Sequence, residues 1–198
     1  MIRSMRIKQE RQIKLFLIGE FGVDKGNIVF NEQENMLREM IGEIRGKSKA
    51  QRKALIQTIL PRIALYKVML KSGFADDDIY KYMKEYMLGI VGKQKHLSMV
   101  RMERVPCFYG IYSRVFLRFV RKMDLWESEQ RCDKNSFDVT MNRCLWHTAC
   151  VENGCGKLCC LFCDVDNVTY GGLKKLGFSR TKTLGYGNDC CDFHFYKK

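Results

Sequence analysis

Apolar positions in the first half of the chain recur with a helical period. In "NEQENMLREMIGEIRG", Met36, Met40, Ile41 and Ile44 share one side of a helix, and Gly46 marks its stop. "KSKAQRKALIQTILPRIALYKVMLKSG" carries the pattern on through Leu55, Ile56, Ile59, Leu60, Ile63, Leu65 and Leu70, to Gly73. Pro61 lies inside it, and a residue without an N–H predicts a kink or two abutting helices there. The acidic "ADDD" suits the start of another helix, whose stripe is Ile79, Tyr82, Met83, Tyr86 and Met87. These Met and Tyr stripes read as core. A further amphipathic helix is predicted over 111–123, "IYSRVFLRFVRKM".

From about Ser136 the period changes. Phe137, Val139, Met141 and Leu145 alternate with polar residues, which predicts a strand. "KLCCLFCDVDNVTYGGL" returns to helical spacing and stops at Gly171-Gly172. "FSRTKTLGYGNDCCDFHFYKK" reads as two extended runs joined at Gly187 and Asn188, a hairpin. The pattern therefore predicts an α+β fold: a helical N-terminal part on a small antiparallel sheet that ends in a C-terminal hairpin. With no internal repeat or low-complexity linker, it predicts one domain over 1–198, mainly helical over 1–130 and strand-helix-hairpin over 131–198. The role of residues 1–45 stays open.

Composition narrows the class. At 198 residues and 46% hydrophobic, the chain can build a packed core. No apolar run approaches the roughly 18 residues of a membrane span, and "LFLIG" near the N-terminus is short for a signal-peptide core. The expectation is a cytoplasmic protein with no membrane partner, whose ten cysteines remain thiols. The net charge of +13 raises nucleic acid as a partner, yet "RGKSKAQRK" reads better as a solvated link between helices, and no nucleic-acid-binding signature accompanies it.

Helical spacing aligns Cys159, Cys163, Asp166 and Tyr170 on one face, with Cys160, Asp164 and Asn167 beside them. On the strand from Phe137, Cys144 falls on the face opposite Val139, a reasonable pocket wall. On the last strand Cys191, Phe193 and Phe195 share one face, and Cys190, Asp192, His194 and Tyr196 the other. Asp192 and His194 stand side by side, as an orienting carboxylate and a proton carrier would. Packing competes with chemistry as the role of several of these residues. Cys107, Cys150, Cys155, Cys159 and Cys160 fit small apolar filling, and His147 and His194 fit structural histidines. Only Cys160 and Cys163 give a zinc-like C-x-x-C spacing, which disfavours structural zinc. A divalent metal held by Cys163, Asp166 and one of Cys144, Cys191 or His194 stays open.

Three ordered motifs, "FDVTMNRC", "LFCDVDN" and "RTKTLGYGNDCCDFHF", resemble the L-2-amino-thiazoline-4-carboxylic acid hydrolase family. The resemblance rests on Cys144, on Cys163 with Asp166, and on Thr183, Leu184, Gly187, Cys191, Asp192, Phe193 and Phe195. "ILPRIALYKVMLKSGFADDDIYKYMKEY" is similar to the family's N-terminal part, so most of 48–198 is covered. The resemblance implies hydrolytic opening of a thiazoline-type ring to an N-carbamoyl cysteine. Asp166 would be the base, supported by Asp192 or His194. Cys163 would serve as nucleophile or metal ligand, and Cys144, Thr183, Cys191 and Tyr170 would line the substrate, with homo-oligomerisation open. The same tail also resembles small-molecule-binding domains related to vinyl reductases, which would make the protein a sensor. The Asp192 and His194 pair favours the enzyme.

Overall fold

The computed structural model describes residues 2–198, with side chains from residue 9 onward. It separates into two compact units, Met1–Tyr86 with Ala149–Leu158, and Met87–Thr148 with Cys159–Lys198. The first is helical: α1 (Ile2–Phe21), α2 (Val23–Gly42), α3 (Lys49–Ala54), α4 (Leu60–Lys71) and α5 (Asp76–Lys84). Ser48 starts α3 with a reciprocal cap, its hydroxyl accepting from Gln51 N at 3.1 Å while Gln51 Oε1 accepts from Ser48 N at 3.3 Å. Around Pro61 the chain stays helical without a break. Leu55–Ile59 form a π-helical turn, with Leu60 N donating to Leu55 O, so the wider turn absorbs what proline disrupts. The predicted stripe residues Ile59, Ile63, Leu65, Ile79 and Met83 are fully buried here.

The second unit explains where chemistry can sit. A second π-helical segment (Glu85–Gly92) leads into α6 (Lys93–Met102), and α7 (Phe108–Lys122) follows. Then come β1 (Trp126–Cys132), β2 (Ser136–Cys144), α8 (Leu145–Glu152), α9 (Gly156–Tyr170), β3 (Leu176–Ser179) and β4 (Cys191–Lys197). The four strands form one antiparallel sheet in the order β1-β2-β4-β3, and β3 and β4 are the expected C-terminal hairpin. Alternation sends Phe137, Val139, Met141, Cys191, Phe193 and Phe195 into the core. Phe137 and Phe195 stack at 4.8 Å between centroids, and Tyr112 and Phe116 of α7 and Tyr170 of α9 pack around them. Burying each such ring contributes roughly 1.5–3 kcal/mol, so this aromatic layer is what fixes α7 and α9 against the sheet.

Three local features differ from the sequence reading. β1 is a strand that "WESEQRC" does not announce, because as an edge strand it buries little and carries polar residues on both faces. Strand alternation ends at Cys144, so Leu145 begins α8 instead of extending β2. Cys107 is exposed and caps α7 with a left-handed backbone, φ 54°, so it is not core filling. Among the described residues, no helix is long and apolar enough to cross a membrane.

Candidate functional site

The middle of α9 presents Cys163 and Asp166 on one face, as the i, i+3 spacing requires. The Cys163 thiol is drawn well below the ordinary range. Hydrogen bonds from Cys159 and Cys191 do most of this, burial opposes it, and the Thr183 hydroxyl and the Arg180 charge add to it. Cys191 moves the other way, up, because its thiol proton is shared with Cys163 and because it is buried. The two thiols shift in opposite senses because they share one hydrogen bond, with Cys163 the more acidic partner. Cys159 sits one helical turn before Cys163, so the sequence reading that gave it to packing missed its second role, although the i, i+4 spacing announced it.

The loop between β3 and β4 closes over this sulfur. Gly185 comes so near that a side-chain carbon there would stand 2.8 Å from Cys163 Sγ and 3.1 Å from the Cys159 carbonyl. Cys160 Sγ donates to Gly185 O at 3.0 Å, and Leu184 N donates to Cys191 Sγ at 3.3 Å. Thr183 caps the short 3₁₀ turn Leu184–Tyr186, accepting from Tyr186 N at 3.3 Å. Gly187 takes the left-handed backbone a turn needs, φ 84°.

Asp166 is pushed up to about 6. Burial is the main cause, the charges of Lys95 and Arg180 pull it down, and Cys163 and Asp164 push it further up. Its side chain keeps 30% of its surface open, so it is crowded by protein and still reachable by water. The Arg180 side chain is only 5% exposed and lies across two carboxylates, Nη2 at 3.6 Å from Asp164 Oδ1 and Nη1 at 3.9 Å from Asp166 Oδ2. Neither is a hydrogen bond, and Arg180 Nη1 is buried without a hydrogen-bond partner. Asp164 in turn accepts from Tyr186 OH at 2.8 Å.

Cys144 ends β2 within electrostatic reach of Cys163 and Asp166. Burial pushes its thiol up to about 11, although the backbone N–H groups of His147 and Trp146, at the start of α8, point at its sulfur. Tyr170 carries the face down to the aromatic layer, accepting a 2.9 Å hydrogen bond from Tyr112 OH, and burial holds both phenols protonated.

Cys144, Cys163, Asp166, Tyr170, Thr183 and Cys191 thus lie within electrostatic or hydrogen-bonding reach of their neighbours along this face. Asp192 and His194 do not. They point to the opposite face of β4, because strand neighbours of Cys191 and Phe193 must. Asp192 is used up as a loop staple: it accepts from Thr181 N at 2.9 Å, Thr181 Oγ1 at 2.5 Å and Lys182 N at 2.6 Å. Burial would raise it, yet these bonds hold it below the usual carboxylate range. His194 pairs across the sheet with Asp138 at 2.6 Å, in an open groove of about 380 Å³ that also takes in Glu129, Arg131 and Thr140.

Among the described residues, no three His, Cys, Asp or Glu side chains are grouped to hold a metal ion. Of the candidate ligands, Cys163 and Cys191 share a hydrogen bond, Asp166 faces the cations Lys95 and Arg180, and Cys144 accepts from the backbone of Trp146 and His147.

No curated protein matches the chain. Three solved structures cover it at low similarity. They are an H-NOX protein from S. oneidensis in the Fe(II) ligation state, at 13% identity and TM-score 0.34 over 95% of this chain and 93% of that one; an H-NOX protein from S. oneidensis in the Fe(II)NO state, at 16% and 0.33 over 94% and 98%; and the Fe(II) unliganded H-NOX protein from K. algicida, at 10% and 0.35 over 96% and 94%. Likeness at that level carries no argument. The family comparison does: residues 36–195 match, and the chain belongs to the L-2-amino-thiazoline-4-carboxylic acid hydrolase family.

Proposed function

We propose that the protein is a hydrolase that opens a thiazoline-type ring, with Cys163 as nucleophile and Asp166 as the group that takes and returns a proton. The observation that carries this reading is the placement of Cys163 and Asp166 on one face of α9, with the Cys163 thiol ringed by Cys159, Cys191 and Thr183. A 2-aminothiazoline is basic at its N–C–N unit and enters as a planar cation, which two adjacent anions suit. Family membership supports the reaction class.

The steps balance as follows. The Cys163 thiolate adds to the ring carbon that bears two nitrogens and the sulfur, giving a neutral tetrahedral adduct. The carbon–sulfur bond of the ring then breaks, its electron pair leaves on sulfur as a thiolate, and Cys163 is left in a cationic isothiourea linkage. Asp166 accepts a proton from water as the hydroxide adds to the same carbon. Collapse expels the Cys163 thiolate and yields the N-carbamoyl product, whose carbonyl oxygen sheds its proton to solvent. The proton on Asp166 passes to the product thiolate. Donors from Cys159, Cys191 and Thr183 make Cys163 a good leaving group, which the second half needs. The same bonds temper its nucleophilicity, and the substrate's positive charge offsets that.

The test is thiol release from L-2-amino-thiazoline-4-carboxylate, followed with a thiol reagent after the protein is removed. The wild-type protein should release one thiol per ring, and Cys163→Ala none. Absence of release by the wild-type protein would overturn the assignment.

A further inference from the structure

We propose that the outer face of α7 docks the protein on an anionic lipid bilayer, its apolar ridge entering the headgroup layer and its arginines meeting lipid phosphates. This goes beyond ring hydrolysis and uses none of the side chains assigned to it. Surface docking needs no spanning segment, so the short apolar runs that argued against a membrane partner do not bear on it.

One face of α7 is buried and the other is bare. Tyr112, Phe116, Leu117 and Val120 turn toward the apolar layer of the sheet. Ile111, Val115 and Phe119, spaced by one helical turn, stay 48%, 62% and 43% exposed and form one ridge on the outside. Packing within the fold does not account for three large apolar side chains in a row facing water. Arg114, Arg118, Arg121 and Lys122 are exposed around the ridge, and α7 contains no acidic residue. Phe119 meets Trp126 edge-on at 5.7 Å, and Trp126 stacks on Trp146 at 5.5 Å, both indoles half-buried. Half-buried tryptophans beside an apolar ridge suit headgroup depth, where one part of the ring is dry and the N–H is wet.

A second feature lies beside the ridge. A cleft of about 300 Å³ opens between the end of α7 and β1, lined by Val120, Arg121, Met123, Trp126, Ser128 and Gln130. Arg121 Nη2 donates to Gln130 Oε1 there at 3.0 Å, so a cation is already held among neutral polar groups, as a phosphate headgroup requires. The carboxylates of β1 are directed elsewhere. Glu129 lines the groove on the opposite face of the sheet, and Glu127 pairs with Arg143 at 2.6 Å. Charge then decides between occupants. A second copy of this face would set cations against cations. A nucleic acid would lay phosphates over the apolar ridge. A protein partner would need a groove cut to a convex helix, whereas a bilayer closes around it and offers an anionic layer above an apolar one.

The experiment is co-sedimentation of the full chain with vesicles of phosphatidylcholine alone, and of phosphatidylcholine with roughly 30% phosphatidylserine, at ~0.15 M salt. The protein should bind the anionic vesicles and not the neutral ones. Its tryptophan emission should shift to the blue on binding, since Trp126 and Trp146 are the two tryptophans of the chain. Arg114→Gln combined with Arg118→Gln should weaken binding by about 20-fold, roughly fivefold for each charge. Val115→Ser and Phe119→Ser, made separately at exposed positions, should each weaken it by about fivefold or more. Lys49→Gln combined with Lys53→Gln removes the same charge from the exposed side of α3 and should change binding by less than about twofold. Absence of binding to the anionic vesicles overturns the inference. So does an equal loss in the arginine and lysine pairs, or full binding by both serine variants, because either means attraction by net charge alone. None of these readouts needs turnover, so their outcome is separate from whether the wild-type protein releases thiol from the ring.

Discussion

Gly185 lies against Cys163 so closely that a methyl group on it would meet the sulfur at 2.8 Å. The loop between β3 and β4 is thereby a lid on the thiolate and a source of its donors. Its backbone at Gly185 needs no unusual φ; only the absence of a side chain matters.

Gly185→Ala should therefore damage the site while leaving the two units folded. Added volume in a tight contact costs about 1–3 kcal/mol, and relief would come from pushing the loop, with Thr183 and Leu184, off the sulfurs. The expected outcome is a stable but less stable protein, with thiol release down at least about tenfold, as a few kcal/mol of misplacement implies. Denaturant melts beside the thiol assay check both.

Cys191→Ala tests the thiolate by removing one of its donors. Iodoacetamide should label wild-type Cys163 readily even at mildly acid pH, where ordinary thiols are protonated. The variant should need a higher pH for the same rate, because the anion has lost a hydrogen bond. Peptide mapping of the label against pH gives the shift.

Asp166→Asn should lower turnover by about 10²–10⁴-fold, the contribution of one positioned proton carrier. In the wild-type protein, turnover should rise with pH through about 6 as the carboxylate forms. Stability runs the other way. The unfolded carboxyl titrates near ~3.9 and the folded one near 6, so the folded state holds the proton more tightly between the two. Rising pH through that window costs the wild-type fold stability. Asp166→Asn should then melt higher than wild type at pH 7, and the gap should close as the pH falls toward 4.

Of the two polar residues on the outer face of β4, His194 should be dispensable and Asp192 should not. His194→Asn leaves the thiolate face untouched, and turnover should stay within about twofold of wild type, the change expected of a side chain that no step uses. Asp192→Ala removes the acceptor of three loop donors and should destabilise by about 1–3 kcal/mol, taking Thr183 out of place. A turnover loss in His194→Asn would return His194 to the mechanism.

Periodicity gave the site's elements but not its whole wiring. The i, i+3 placement of Cys163 and Asp166 follows from helix geometry, and the Cys191 face follows from strand alternation. Asp192 and His194 lie on the face of β4 away from Cys191, as strand alternation requires, and only their spacing suggested a proton-transfer pair. Lys95 and Tyr112 lie on helices whose patterns show only amphipathicity, so nothing local marks them as facing Asp166 or Tyr170. β1 escaped because an edge strand need not alternate apolar residues. The π-helical turn before Pro61 was foreshadowed only as a disturbance.

The central claim is that Cys163 works as a thiolate, and selective alkylation tests it most directly. One equivalent of iodoacetamide at pH 5.5 should modify Cys163 ahead of the exposed Cys107 and Cys132. Thiol release from the thiazoline should fall in proportion to the carboxamidomethyl group found on Cys163. Full turnover by protein alkylated at Cys163 would contradict the account.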